Sequence, residues 1–144
     1  MPFVSWDDKL SVGHPVIDGD HKKLVSYVNE LHDAMAQGKA RDHLGDILNK
    51  LLAYTKEHFV REELLWASRK YAGLQEHKKQ HQELLKKVLD FSQEFRSGKA
   101  LITVQVMTFL RDWLINHIAK SDVTAAKATQ IGAVAGQASM SQSV

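Results

Sequence analysis

Two pairs of residues define the chemistry open to this sequence. His58 and Glu62 stand four apart, as do His77 and His81, all within the stretch HFVREELLWASRKYAGLQEHKKQH. Residues four apart on an α-helix lie one turn above each other on the same face, so each pair can close on a metal site. Upstream stands a lone His21, and downstream the segment His117-Ile-Ala-Lys-Ser-Asp122 adds an imidazole and a carboxylate. The chain has no cysteine, which excludes disulfides, iron-sulfur clusters and thiolate zinc sites; any metal must be held by His nitrogen and carboxylate oxygen. Five imidazoles and two carboxylates are too many for one ion of ordinary coordination and suit two. If Glu62, Asp122 and a solvent oxygen all bridge, a metal with three His has six ligands and a metal with two His has five. That count leaves one open position for a small molecule.

The elements that must position these residues follow from apolar periodicity. Leu24, Val28, Leu31 and Met35 recur at steps of four and three, and His21 stands one turn before the first of them. Asp18 is the expected N-cap of this first helix, and Gly38-Lys39 its end. A second helix, capped by Asp42, carries Leu44, Ile47, Leu48, Leu51 and Thr55 directly into His58, Glu62 and Leu65. Tyr71-Ala72-Gly73 breaks it. The third helix runs Leu74, His77, His81, Leu84, Val88, Phe91 and Phe95, and Ser97-Gly98-Lys99 turns the chain again. The fourth shows Ile102, Val106, Phe109, Trp113 and His117 on one face, broadened by Leu110 and Leu114. Helices of roughly 17 to 25 residues joined by short turns predict an all-α, up-down-up-down antiparallel four-helix bundle.

In that topology His21 lies near the start of one helix, His58 and Glu62 near the end of the next, His77 and His81 near a start, and His117 near an end. All four groups fall at the same end of the bundle, on apolar stripes where unpaired ionisable groups are expensive to bury. One shared site explains this better than several separate core histidines. The step from His117 to Asp122 is five, which turns the carboxylate about 140° further round an α-helix, so the helix is expected to unwind or bulge there. His14, His32 and His43 fit no such pattern and are assigned to surface or loop positions.

The length of 144 residues suits one domain. Residues 1–123 are expected to form it, with 1–17 as an arm anchored by Trp6 and 124–144 as a flexible Ala/Ser/Gly-rich tail. Lys and Arg number 19 against 17 Asp and Glu. The basic pairs are interleaved with acids, which argues for solvated helix faces and against a nucleic-acid surface. The N-terminus is not a signal peptide, and no segment is apolar enough to span a membrane, so a cytoplasmic, monomeric protein is expected.

The pattern His21, His58-x3-Glu62, His77-x3-His81 and His117-x4-Asp122 resembles the hemerythrin family and its bacterial single-domain members, over about residues 3 to 123. The likeness includes the Trp6 arm and the Ile17-Asp18-x-x-His21 opening. The resemblance implies that His77, His81 and His117 hold one iron and His21 and His58 the other, with Glu62 and Asp122 bridging beside an oxo or hydroxo group. It implies reversible O2 binding rather than catalysis, in a pocket walled by Leu24, Phe59, Trp113 and Ile118, with weak peroxidase activity as a possible side reaction. An oxygen-using enzyme is a conceivable recipient of the O2. Ferritin-like catalytic centres are instead rich in carboxylates. A di-iron oxidase or peroxidase is therefore the alternative, beside an oxygen or redox sensor domain. Three departures from the family pattern stand out: Gly19-Asp20 before the first His, where Glu-Gln is more usual; Trp66, where Met is frequent; and Ala72, where Pro is common.

Overall fold

The computed structural model describes residues 2–129. They form an up-down-up-down antiparallel four-helix bundle: α1 (Pro15–Ala36), α2 (Arg41–Ser68), α3 (Leu74–Arg96) and α4 (Val104–Asn116). A short 3₁₀ turn, Asp8–Leu10, precedes α1. After α4 the chain passes through a π-helical segment, His117–Asp122, into α5 (Val123–Ala128). The expected bulge between His117 and Asp122 is therefore a full π turn, whose i→i+5 bonding brings residues five apart onto one face.

Local chemistry places the helix ends. Gly38 and Gly98 adopt φ of 69° and 83°, and the amides just beyond them bond back across the last turn (Lys39 N to Ala34 O, 3.0 Å; Lys99 N to Glu94 O, 2.8 Å). Glycine takes this left-handed conformation without a Cβ penalty. α2 ends in the same way at Lys70, a residue with a Cβ, at φ 57°. Two expected caps move. α1 starts at Pro15, whose fixed φ suits the first helical position, and His14 rather than Asp18 is its N-cap. Asp18 instead accepts from the Val12 amide (2.8 Å) and the Ser11 hydroxyl (2.6 Å), tying the arm to the helix. α2 starts at Arg41 behind Ala40 with no side-chain cap, so Asp42 lies inside its first turn.

The arm is held by more than Trp6, which is half-buried with the Lys22 ammonium 5.3 Å from its ring. Val4, Leu10 and Val12 are buried, and the Val4 backbone exchanges two hydrogen bonds with the Asn29 amide (2.7 and 2.8 Å). The inner face of α4 is Met107, Leu110 and Leu114, while Phe109, expected inside, is 38% exposed. The apolar stripe of this helix is broad enough to be read one position off; Met107, fully buried, marks its centre.

Most of the core runs down the bundle, and a smaller cluster of Val12, Ile17, Trp66, Ala125 and Ala126 closes the end where the ligand candidates lie. Residues 124–128, expected in the tail, are thus helical and partly buried; the rest of that tail, 130–144, lies outside the described residues. Ala125 is fully buried against this cluster, so Ala125→Leu is expected to overpack it and destabilise the fold by about 1–3 kcal/mol, read by denaturant unfolding. Among the described residues, no helix is long and apolar enough to cross a membrane.

Candidate metal centre

α1 supplies His21, α2 His58 and Glu62, α3 His77 and His81, and the π segment His117 and Asp122. The structure brings all seven together, each no more than 8% exposed. Their arrangement has two lobes. Glu62 Oε2 lies 3.1 Å from His21 Nε2 and 3.0 Å from His58 Nε2, whereas its Oε1 lies 2.7 Å from His77 Nε2 and 3.1 Å from His81 Nε2. Asp122 divides likewise: Oδ2 is 3.1 Å from His21 Nε2, and Oδ1 is 2.9 Å from His77 Nε2 and 3.3 Å from His117 Nε2. Each carboxylate therefore offers one oxygen to a two-imidazole group and the other to a three-imidazole group.

The donor directions say what these groups face. Both Asp122 oxygens are buried without a hydrogen bond of acceptable geometry, although three imidazole nitrogens lie within 3.3 Å of them. His81 Nε2 and His117 Nε2 stand 3.1 Å apart, ring nitrogen against ring nitrogen. Groups so close and so poorly aimed at one another suit a shared third atom, because donors bound to one ion at roughly 2.0–2.1 Å stand about 3 Å apart. The residues present fit bound metal, and two groups could hold an ion: Glu62, His77, His81, His117 and Asp122; and His21, His58 and Glu62.

Electrostatics point the same way. Burial alone would raise the Glu62 pKa, yet the four imidazoles around it hold its carboxyl well below the ordinary range. Burial and Glu62 push Asp122 up, and His117 and His21 overcome both, so its pKa is depressed too. Burial pulls the pKa of His21 and His77 down, but the two carboxylates outweigh it and raise them to about 10 and about 9. Without metal, the two carboxylates keep these imidazoles protonated above the usual histidine range.

Around it lies a support that the sequence reading missed. Asp20, buried at 5% exposure, accepts from His58 Nδ1 (2.9 Å), from Arg61 Nε and a terminal Arg61 nitrogen (2.8 and 3.0 Å), and from the Tyr54 hydroxyl. These donors overcome its burial and hold its carboxyl far below the usual carboxylate range. Burial and Asp20 together push the Tyr54 phenol up to about 12. Glu63 accepts from His81 Nδ1 (2.7 Å) in the same manner. A signal was available: Asp20 lies between Ile17 and Leu24 on the inner stripe, and Glu63 between Phe59 and Trp66, so each is an acid at core spacing. Carboxylates that fix a ligating imidazole typically matter 10–100-fold for affinity. Asp20→Asn, which leaves Arg61 only the exposed Glu57 carboxylate 3.7 Å away as a counter-charge, is expected to weaken metal binding about that much with helicity unchanged. Competition against a chelator of known affinity measures it, and an unchanged affinity would refute the orienting role.

His14 caps α1, His32 stacks on Phe3 with ring centroids 4.1 Å apart, and His43 is exposed; none joins the cluster. Phe59 stacks on His81 (3.7 Å) and Trp113 on His117 (4.4 Å), which locks both rings. A cavity of about 40 Å³ adjoins the centre, and Leu24, Phe59, Trp113 and Ile118 all line it. It touches His21, His58, His117 and Asp122, and its other walls include Val28, Leu51 and Leu114.

Known proteins resemble this chain in sequence and fold. Residues 12–127 match the family model of the hemerythrin HHE cation binding domain. The chain is 34% identical to a bacteriohemerythrin of Pseudomonas aeruginosa over 122 residues, covering 85% of this chain and 78% of that one. It is 37% identical to a bacteriohemerythrin of Methylococcus capsulatus over 105 residues, or 73% and 79% of the two chains. The crystal structure of a hemerythrin leucine-to-alanine mutant superposes with a TM-score of 0.85 at 31% identity, covering 90% of this chain and 98% of the other. With a buried His, Glu and Asp cluster at the end of its bundle and a domain match over most of its length, the chain belongs to the hemerythrin family.

Proposed function

We propose that this protein binds O2 reversibly at a di-iron centre. In this reading His77, His81 and His117 would hold one iron and His21 and His58 the other, with Glu62 and Asp122 each offering one oxygen to either iron. The carrying observation is the split of each carboxylate between a three-imidazole and a two-imidazole lobe, with the cavity touching both imidazoles of the smaller lobe. The metals, when bound, supply the open position and the electrons for O2 binding.

The chain's own residues do the rest. Five neutral imidazoles fill coordination positions with donors that add no charge, in contrast to the carboxylate-rich centres of ferritin-like enzymes. A cavity of about 40 Å³ exceeds what a single water requires and so has room for a diatomic molecule. Leu24, Phe59 and Ile118 give it apolar walls, and the Thr55 hydroxyl there is engaged with the Leu51 carbonyl (2.6 Å), so it presents no free donor. Such walls favour a small apolar guest and slow the entry of water and protons. Asp20 and Glu63 keep His58 and His81 in the Nδ1–H form, with Nε2 free to ligate.

Iron analysis together with visible absorption spectra of the oxidised, anaerobically reduced and O2-exposed protein tests this reading. Two irons per chain and an O2-dependent band that disappears when O2 is removed are expected. Two irons that pass directly to the ferric state, without an oxygenated species even on rapid mixing, would overturn reversible binding and favour the oxidase reading.

A further inference from the structure

Among the described residues Trp66 is the largest fully buried side chain, and it sits one turn after Glu62 on the inner face of α2. Its ring centroid is 6.1 Å from that of His77. Tyr71, in the turn after α2, lies 6.3 Å from Trp66 and 6.4 Å from His77, and is half-buried, so it meets solvent where Trp66 does not. Edge-to-face spacings of this size are those of rings in contact. The turn is shaped around the phenol: a Cβ on Gly73 would fall 2.6 Å from the Tyr71 ring.

Packing within the end cluster accounts for a large apolar side chain at position 66 but not for the N–H of an indole. The Trp66 Nε1–H is buried without a partner, and a buried donor left unsatisfied costs about 1–3 kcal/mol that an apolar side chain would avoid. The same orphaned N–H has a redox consequence. An indole that loses an electron becomes a radical cation whose acidic proton is the one on Nε1. With no acceptor at hand that proton stays, and the cation remains a strong oxidant.

We infer that Trp66 and Tyr71 form a one-electron route from the His77 side of the metal centre to the surface, ending on Tyr71. This rests on the di-iron reading above. Hydrogen peroxide becomes two waters by taking up two protons and two electrons at the loaded centre; one electron would come from a ferrous ion, which becomes ferric, and the other from Trp66. Tyr71 returns an electron to the Trp66 radical cation and releases its phenol proton to solvent, so that neutral indole and a neutral phenoxyl radical remain. One electron and one proton from an external reductant restore the phenol. Arg69 and Lys70, both exposed and in the same turn, suit an anionic reductant of the ene-diolate class, such as ascorbate.

The experiment first loads the full chain and confirms two irons by metal analysis; failure at this step overturns the di-iron reading and with it the route, whereas the later arms test the route alone. Reaction with hydrogen peroxide, freeze-quenching and EPR follow. A tyrosyl radical is expected that narrows with ring-deuterated tyrosine, disappears in Tyr71→Phe, loses most of its yield in Trp66→Phe and is quenched by ascorbate. Tyr71→Phe keeps the ring and removes only the ionisable hydroxyl, so it decides alone if Trp66→Phe fails to load iron. The inference is overturned by the absence of a protein radical, by a signal that survives Tyr71→Phe because it resides on Trp113 or Tyr54, by an undiminished yield in iron-loaded Trp66→Phe, or by the same radical in zinc-loaded protein.

Discussion

Glu62→Ala lowers bound iron below two ions per chain and destabilises the metal-free protein by about 3–5 kcal/mol, the usual penalty for removing one side of a buried ion pair. Glu62 is fully buried and lies within 3.1 Å of four imidazole nitrogens, more than any other side chain in the cluster. Removing it leaves His21 and His58 with Asp122 as their only cluster carboxylate, and Asp122 reaches His21 alone of the two. The smaller lobe therefore empties first. Metal analysis gives the stoichiometry and denaturant unfolding of the chelated protein gives the stability. Two unchanged irons would refute bridging, and an unchanged unfolding midpoint would show that the metal-free cluster is not an ion-pair network.

Protons and iron compete for the same nitrogens, and the largest pH effects follow from that competition. In the metal-free protein His21 and His77 titrate near 10 and 9 rather than 6.5, and His58 is raised too. Groups with raised folded pKa values stabilise the fold fully below their unfolded value and lose that contribution as pH rises through the folded one. Glu62 and Asp122, both depressed, contribute above their ordinary carboxylate range and lose it as pH falls through their lower folded values. Metal-free protein is thus expected to be most stable between about pH 4.5 and 6.5 and to weaken steadily towards pH 10. Iron-loaded protein needs neutral imidazole, so it keeps its stability on the alkaline side and releases iron below roughly pH 5–6. Loading at pH 7 should also release protons, from His21, His77 and His58, whose imidazoles all hold their protons above the usual range. Thermal unfolding of both forms across pH, with pH-stat titration during loading, measures all three. Full iron retention at pH 4, or loading without proton release, would count against this account.

The bundle and the convergence of seven ionisable side chains were legible because two independent periodicities agree. The apolar stripes give the helices, and the positions of His21, His58, His77 and His117 within them give a common depth. The supporting carboxylates were missed: Asp20 and Glu63 stand at core spacing, but nothing in the sequence names the partner on another helix that an acid there requires. Arg61 and Tyr54 come to Asp20 from more than thirty residues away in sequence. The inner face of α4 was misplaced for a different reason. Apolar residues nearly encircle that helix, so periodicity alone could not choose Met107 over Phe109. Asp18 and Asp42 show a third limit: an acid near a helix start reads as a cap, but the fixed φ of Pro15 begins α1 earlier and Ala40 begins α2 with no side-chain bond.

The helical rod runs on through the π segment, past the point where the sequence composition suggests a tail. Viewed as a lattice, α4 and α5 are one rod with a one-residue dislocation at His117–Asp122. The defect heals within its own turn: on either side the buried positions Met107, Leu110 and Leu114, and Ala125 and Ala126, keep ordinary helical spacing. Leu114 and Ala125 stand eleven apart, close to three α-helical turns, so the apolar stripe continues in the sequence, and it is the Ala, Gly and Ser composition after Val123 that reads as a tail where the rod goes on. His117 and Asp122 occupy the two edges of that dislocation, which lets a spacing of five behave like a spacing of four.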